Sequence, residues 1–321
     1  MERKKSLQIQ ALEALVPRLS HRFPRYQDIQ TDLAKRMKGY IGEKQMDYHL
    51  TTLDGPYRII PDVHLTVNGD YFQIDTIILS QHAIYMIECK NFDGSIHFDT
   101  TLRQFTRNDG QATKGYRYPP TQAEKQKLRL QNWLLHHQQH QAIPVYYFIA
   151  IAEPSTIIEV TGDEQSIARL IAHSEHIPTM IAKVERQLSE RGVRKIDTMT
   201  LYRLITQASR EKPSHILTYY DIKPADIMPG VICPNCSTLG MQRNYGIWIC
   251  LRCKHRSKNA HRRAIATYQM LIKPEITNQA LRAFLKVKSS FVVTRLLKSS
   301  GYHFNHVKRT WSKINDVSKR Q

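Results

Sequence analysis

The stretch FQIDTIILSQHAIYMIECK, Phe72 to Lys90, sets an aspartate, a glutamate and a lysine inside two runs that otherwise read as buried β-strands. A buried unpaired charge costs several kcal/mol, so such residues have a partner or a task. With Gln81 and His82 as a two-residue turn, Ser80 pairs with Ala83. Counting outward then sets Asp75 opposite Glu88 and Gln73 opposite Lys90. An even loop centred there keeps this register, whereas an odd loop sends the two acids to opposite faces. Alternation places Gln73, Asp75, Glu88 and Lys90 on one face with Ile77, Leu79, Ile84 and Met86, and sends Cys89 to the core on the other. Two carboxylates about 4 Å apart repel by about 4 kcal/mol at an effective dielectric of about 20. A hard divalent ion held by carboxylates and water relieves that repulsion, and Mg²⁺ (or Mn²⁺) is the usual ion of phosphate chemistry. Lys90 reaches the same point, where it would orient or deprotonate water or stabilise charge on a phosphate.

Working outward, residues 5–18 and 27–50 read as helices, and YRIIPDVHLTV supplies a strand ahead of the central pair. A polar, turn-rich stretch runs from Phe92 to Pro120, a helix from about Thr121 to His140, and IPVYYFIAIA forms a buried strand between Pro144 and Pro154. The order is α-β-β-β-α-β. His136 and His140 share a helix face, but HHQQHQ reads as solvated surface. Residues 161–212 read as mostly amphipathic helix, and EKPSHILTYYDIKPADIMPG, with its three prolines, as a linker.

Beyond the linker, CPNC (Cys233, Cys236) and CLRC (Cys250, Cys253) offer four thiolates at the spacing of a structural zinc site, with Gly246-Ile-Trp-Ile as the strand of a zinc ribbon. Four cysteines without an open position favour structure over catalysis. The segment PEITNQALRAFLKVKSSFVVTRLLKSSGYHF then suggests two short helices, capped by Thr277 or Asn278 and by Ser289 or Ser290, with Gly301 closing the second. Phe291, Val292, Leu296 and Leu297 are expected on its inner face, leaving Arg295 and Lys298 outward in the manner of a helix-turn-helix.

Charge separates the two ends of the chain. Of the net +19, residues 226–321 carry +15, from 18 Lys or Arg against Asp226, Glu275 and Asp316. That imbalance is the footprint of a polyanion, and Arg262, Arg263, Lys288, Arg295 and Lys298 are the candidate nucleic-acid contacts. The sequence has no apolar run of membrane-spanning length and no signal-peptide pattern at its start, which makes a cytoplasmic protein the expectation. It also lacks a phosphate-binding glycine loop and a Ser-His-Asp arrangement.

Residues of about 37–150 resemble the nuclease-related domain (NERD), a bacterial family similar to the PD-(D/E)xK nucleases. The resemblance lies in GYIGE with Gly39, Gly42 and Glu43, in Asp62, in Gln73-Ile74-Asp75 and in Glu88-Cys89-Lys90. It continues in Gly94-Ser95-Ile96 and in Pro119-Pro-Thr-Gln122. Gln104-Phe105 stands where the family usually has Gln-Trp, and Tyr118-Pro119 where it has Asn-Pro. The resemblance implies an αβββαβ core, Asp75 and Glu88 as metal ligands, Lys90 as the catalytic lysine, and Glu43 as a supporting acid from the first helix.

The expected molecule is therefore an α/β (α+β) protein with a restriction-endonuclease-like core. Its expected parts are an N-terminal helical segment (1–32), the nuclease-related domain (33–160), a helical spacer and linker (161–225), a four-cysteine zinc ribbon (226–262) and a basic helix-turn-helix-like tail (263–321). The expected function is Mg²⁺-dependent hydrolysis of nucleic acid, DNA ahead of RNA, with the tail binding substrate and one structural Zn²⁺ in the ribbon. The competing readings are a non-catalytic DNA-binding or regulatory protein on a nuclease-like fold, and a zinc-stapled RNA-binding protein.

Overall fold

A computed structural model describes residues 2–137 and 143–313. Two compact units divide the chain: one holds the segment ending at Lys5 together with Lys35–Lys212, the other Ser6–Ala34 and the chain from Pro213 onward. Helices α1 (Leu7–Leu15) and α2 (Tyr26–Leu50) come first, and the division falls within α2. Strands β1 (Arg58–Val67), β2 (Asp70–Leu79) and β3 (Ile84–Lys90) follow. Next come β4 (Ser95–Asp99), β5 (Gln104–Asn108), β6 (Thr113–Tyr116), α3 (Pro119–His136), β7 (Val145–Ile151) and β8 (Ile157–Thr161). The short α4 (Glu164–Ala168), β9 (Ile171–His173), α5 (Ile177–Glu190) and α6 (Thr198–Ala208) complete this unit.

Its main sheet has the order β1-β2-β3-β7-β9, antiparallel among the first three and parallel beyond. The expected αβββαβ order is present, with β4, β5 and β6 inserted after β3. Those three strands lie in the stretch expected to be turns, and with β8 they form a second sheet, β6-β5-β4-β8. Phe98 and Phe105 from this sheet pack with Ile149 and Ile151 of β7 in one buried cluster. On one face of the main sheet α3 presents Leu130, Trp133 and Leu134, and α6 presents Leu201 and Ile205, to Ile77, Leu79, Ile84 and Met86. On the other face Met46 and Leu50 of α2 and Ile177, Ile181 and Leu188 of α5 cover Ile78, Tyr85, Ile87 and Phe148. Residues 161–212, expected as a spacer, thus supply a strand and three helices to this unit's own cores, Ile167 of α4 and Ile171 of β9 among them.

The central register agrees with the count from the turn: Leu79 pairs with Ile84 and Thr76 with Ile87, and the Ser80 N–H donates to Ala83 O at 3.0 Å. Alternation does not survive to the end of β2. Phe72 and Ile74 lie in the same cluster as Ile77 and Leu79, so the pleat changes phase between them. β1 changes phase at the matching place, where Ile60 gives way to Val63, Leu65 and Val67, and Asp62 between them has φ of 51°. The β1–β2 ladder skips Asp62 and Asp75, which face each other in the count from Pro61↔Thr76 to Val63↔Ile74. Aspartate tolerates the left-handed region better than most side chains, which lets the break fall there.

Arg3 locks this region from the chain's N-terminal end. The residue is 4% exposed, and its guanidinium donates to both Asp47 carboxylate oxygens (2.8 Å each), Glu43 Oε2 (2.9 Å), Asp75 O (2.9 Å) and Thr76 Oγ1 (2.7 Å). All five guanidinium N–H groups are satisfied. Burial works against the charge, but Asp47 and Glu43 outweigh it and raise the Arg3 pKa. Arg3→Met is expected to destabilise this unit by about 3–5 kcal/mol, since it strands two partly buried carboxylates; urea denaturation checks this.

In the second unit, Ser6 caps α1, whose Ala11, Leu12 and Leu15 are buried. The short helix α7 (Ile216–Tyr219) precedes a three-stranded sheet of β10 (Gln242–Asn244), β11 (Ile247–Ile249) and β12 (Arg256–Ser257). Then come α8 (His261–Leu271), α9 (Asn278–Leu285), α10 (Ser290–Ser299) and a hairpin of β13 (Tyr302–Asn305) and β14 (Thr310–Lys313). Thr277 and Ser289 cap α9 and α10 through their side chains, and Gly301, at φ +80°, follows the end of α10. Ile276 bridges Trp311 of the hairpin. Helix, bridge, two helices and hairpin in that order make a winged-helix arrangement, of which the helix pair alone was read from sequence.

One buried cluster runs through Leu12 and Leu15 of α1, Trp248 of the ribbon, Ile265 of α8, Leu281 of α9, Leu297 of α10 and Trp311. The segment 1–32, the ribbon 226–262 and the tail 263–321, expected as separate parts, share this core from Ser6 onward, because none of them alone encloses enough apolar surface. Residues 314–321 and His140 lie outside the described residues. Among those described, no helix is long and apolar enough to cross a membrane.

Candidate active site and cysteine centre

The charges of the opening stretch gather where α2, β2, β3 and α3 meet. Glu88 and Lys90 share the α3 face of β3, and Lys90 Nζ donates to Glu88 Oε1 at 2.7 Å. Gln122, set in the first turn of α3 by the Pro119-Pro120 start, donates to the same oxygen at 2.8 Å. Asp75 takes the Cys89 backbone N–H on Oδ2 at 2.9 Å, so its side chain occupies the place where the β2–β3 ladder ends. Cys89 itself turns to the opposite face, against the α2 and α5 cluster. Gly42 lets α2 lie close, since a Cβ there would come within 2.7 Å of Asn91 Cβ. The next residue of the helix, Glu43, and Asp47 one turn further on both meet Arg3.

Gln73 stands apart from this group: its amide donates to Asp62 Oδ1 at 2.8 Å, a consequence of the phase change in β2. Arg3 and Gln122 enter the site although the sequence reading assigned neither a role. Gln122 carried a signal, its place two residues past a double proline; Arg3 carried none, since its partners lie 40 or more residues away.

The electrostatics are those of crowded acids. Burial first, then Glu88 and Glu43, push Asp75 well above the usual carboxylate range, while the Cys89 N–H and Lys90 pull it back. Burial also pushes Glu43 up to about 7; Arg3 lowers it, and Asp62 and Asp47 add to the rise. Lys90 loses by burial but gains more from Glu88, and its pKa is raised. Oxygen donors that burial and mutual repulsion keep from ionising suit a hard divalent cation. Glu43, Asp75 and Glu88 are not drawn together within the 4.8 Å mutual spacing that the four cysteines satisfy.

The raised Glu43 pKa sets a pH dependence. The folded state holds this proton more tightly than the unfolded chain, so the stabilisation is fully present below about 4.5 and is lost as pH rises through about 7. In metal-free buffer the urea midpoint of this unit is expected to fall across that window, and Glu43→Gln to flatten the fall. Equal slopes for the two proteins would refute the assignment.

In the second unit the two cysteine pairs have matching knuckles. Ser237 N donates to Cys233 O and Lys254 N to Cys250 O, at 3.0 and 2.9 Å, with Ser237 and Lys254 both left-handed. Sγ–Sγ distances are 3.6 Å for Cys233–Cys253 and for Cys236–Cys250, and the four sulfurs lie within 4.8 Å of one another. A tetrahedron with Zn–S bonds of about 2.3 Å has edges of about 3.8 Å, so this cluster could hold a zinc ion. The Thr238 hydroxyl and backbone N–H push the Cys236 thiol down to about 6, toward the thiolate that a metal requires.

Lys288, Arg295, Lys298, Arg262 and Arg263 are all exposed. Arg262 also donates to Ser299 O at the end of α10 (3.1 Å). Phe291, expected on the inner face of α10, is instead 83% exposed, and Val293 takes its place in the core with Leu296 and Leu297. The hairpin adds exposed Lys308 and Arg309 at its tip, a basic wing that the sequence reading did not identify.

Residues 38–152 match the family model of the nuclease-related domain. This stretch, from the middle of α2 to the end of β7, is a nuclease-related domain, followed in the second unit by a four-cysteine cluster of zinc-ribbon type. No curated protein and no solved structure gives a significant match to the chain.

Proposed function

We propose that the protein is a metal-dependent nuclease that hydrolyses phosphodiester bonds of nucleic acid, with DNA as the first candidate. The observation that carries this reading is the grouping of Glu88 with Lys90 and Gln122, beside Asp75 where the β2–β3 ladder ends, within a nuclease-related domain. Asp75 and Glu88 would hold a Mg²⁺ or Mn²⁺ ion, with Glu43 supporting from α2. Such an ion polarises the scissile phosphate and lowers the pKa of water. Lys90, kept charged by Glu88, suits stabilising negative charge on the phosphate better than removing a proton from water. Gln122 holds the Glu88 carboxylate from the first turn of α3. Cleavage of plasmid, linear DNA or RNA in Mg²⁺, abolished by chelation and restored by added Mg²⁺, tests the reading; binding without cleavage of all three would favour a non-catalytic platform.

In this reading the winged-helix unit supplies affinity, with α10 and the wing on the polyanion. Truncation near Pro224 is a poor test, because α1 would lose the core it shares with α8. Charge reversal is cleaner. Arg295→Glu with Lys298→Glu is expected to weaken binding and to make the slope of log affinity against log salt shallower by about two, near one for each phosphate no longer neutralised. An unchanged slope would assign the basic surface to another partner.

A further inference from the structure

A second ligand set lies on the edge of the main sheet, outside the carboxylate–lysine group. His64 of β1 is 5% exposed, and its Nε2 has no hydrogen-bond partner although Asp62 Oδ1 lies 2.9 Å away. The ring is held from its other side, with Nδ1 2.5 Å from the Tyr71 hydroxyl and the two rings stacked at 5.8 Å. Its backbone is clamped as well: the His64 N–H donates to Ser209 Oγ and the Arg210 N–H to His64 O, each at 2.9 Å. This clamp delivers Glu211, so that one ligand atom each from Asp62, His64 and Glu211 lie within 4.8 Å of one another. Asp62 reaches the point through its left-handed backbone and is steadied by the Gln73 amide.

We infer that Asp62, His64 and Glu211 bind one first-row divalent metal ion, of which Zn²⁺ is the best match. One such ion would take the lone pair of the buried His64 Nε2 and carry the positive charge that the two carboxylates beside it attract. With Nδ1–H given to the Tyr71 oxygen, Nε2 offers its lone pair toward the carboxylates, the arrangement that orients metal-binding histidines. Imidazole with two carboxylates favours zinc over Mg²⁺ or Ca²⁺, and three protein ligands leave a position open for water or a substrate oxygen. Glu211 lies beyond the stretch that matches the nuclease-related domain, so the site does not depend on the nuclease reading.

The test uses the full chain with its cysteines already loaded with zinc. Dialysis against micromolar Zn²⁺ and elemental analysis should find a further equivalent in the wild type and in Glu88→Gln, and none in Glu211→Gln or His64→Gln. Glu211→Gln, a near-isosteric change, guards against a variant that fails by misfolding. With Mn²⁺ as a second probe, pulsed electron paramagnetic resonance should detect nitrogen coupling from a single imidazole, lost in His64→Gln. A further equivalent that persists in Glu211→Gln, or none in the wild type, overturns the inference.

Discussion

If Cys233, Cys236, Cys250 and Cys253 hold zinc, stripping it is expected to unfold the whole second unit, α1 and the winged helix included. Cys233, Cys250 and Trp248 belong to the same buried cluster as Leu12, Leu281 and Leu297, so the ribbon cannot loosen alone. A structural zinc contributes about 10–16 kcal/mol to folding, and a domain of this kind has a net stability of about 5–15 kcal/mol, so removal outweighs what remains. Cys236→Ser should act in the same direction. Amide exchange should show protection lost together in α1, α8, α9 and α10, while β2, β3 and β7 keep theirs, since those strands draw on separate clusters. Exchange that speeds up only around the two knuckles would contradict the shared core. Elemental analysis finding no zinc in protein purified under reducing conditions would remove the premise.

Asp75→Ala and Glu88→Ala are each expected to reduce metal-dependent cleavage to background. Each deletes one of the two carboxylates that would hold the ion, and Glu88→Ala also removes the partner that keeps Lys90 charged. Lys90→Ala should lower kcat by about 10²–10³-fold with little change in metal affinity, as expected for a group that acts on charge developing in the transition state. Unchanged cleavage in all three purified variants would place the chemistry elsewhere.

The hairpin register was legible because a two-residue turn leaves one count open, and Thr76↔Ile87 agrees with it. Which face each residue takes was legible only as far as Thr76. The phase change depends on φ at Asp62, and no local sequence signal separates a left-handed aspartate in a strand from an extended one. β4, β5 and β6 escaped notice for another reason. TKGY is exposed throughout and QFTRN buries only Phe105 fully, so β5 and β6 are stabilised by neighbours and by the Asn108–Ala112 turn more than by their own pattern; SIHFD of β4 does alternate, with Ile96 and Phe98 buried, but over five residues only. The gathering of the four cysteines and the caps of α9 and α10 are short-range features, and the structure agrees with both. The core shared by α1 and the winged helix is a long-range one, joining residues more than 200 positions apart, and no pattern within either segment announces the other.

The most direct test of the account is calorimetric titration of Mg²⁺ into the zinc-loaded full chain at pH 6.5, in two buffers of different ionisation enthalpy. If Glu43, Asp75 and Glu88 form a cation site, binding should be saturable and should release protons, because Glu43 at about 7 is largely protonated at that pH and must ionise to support the ion. Asp75→Asn should abolish the binding. Absence of saturable Mg²⁺ binding, with or without nucleic acid present, or binding indifferent to Asp75→Asn, would contradict the account.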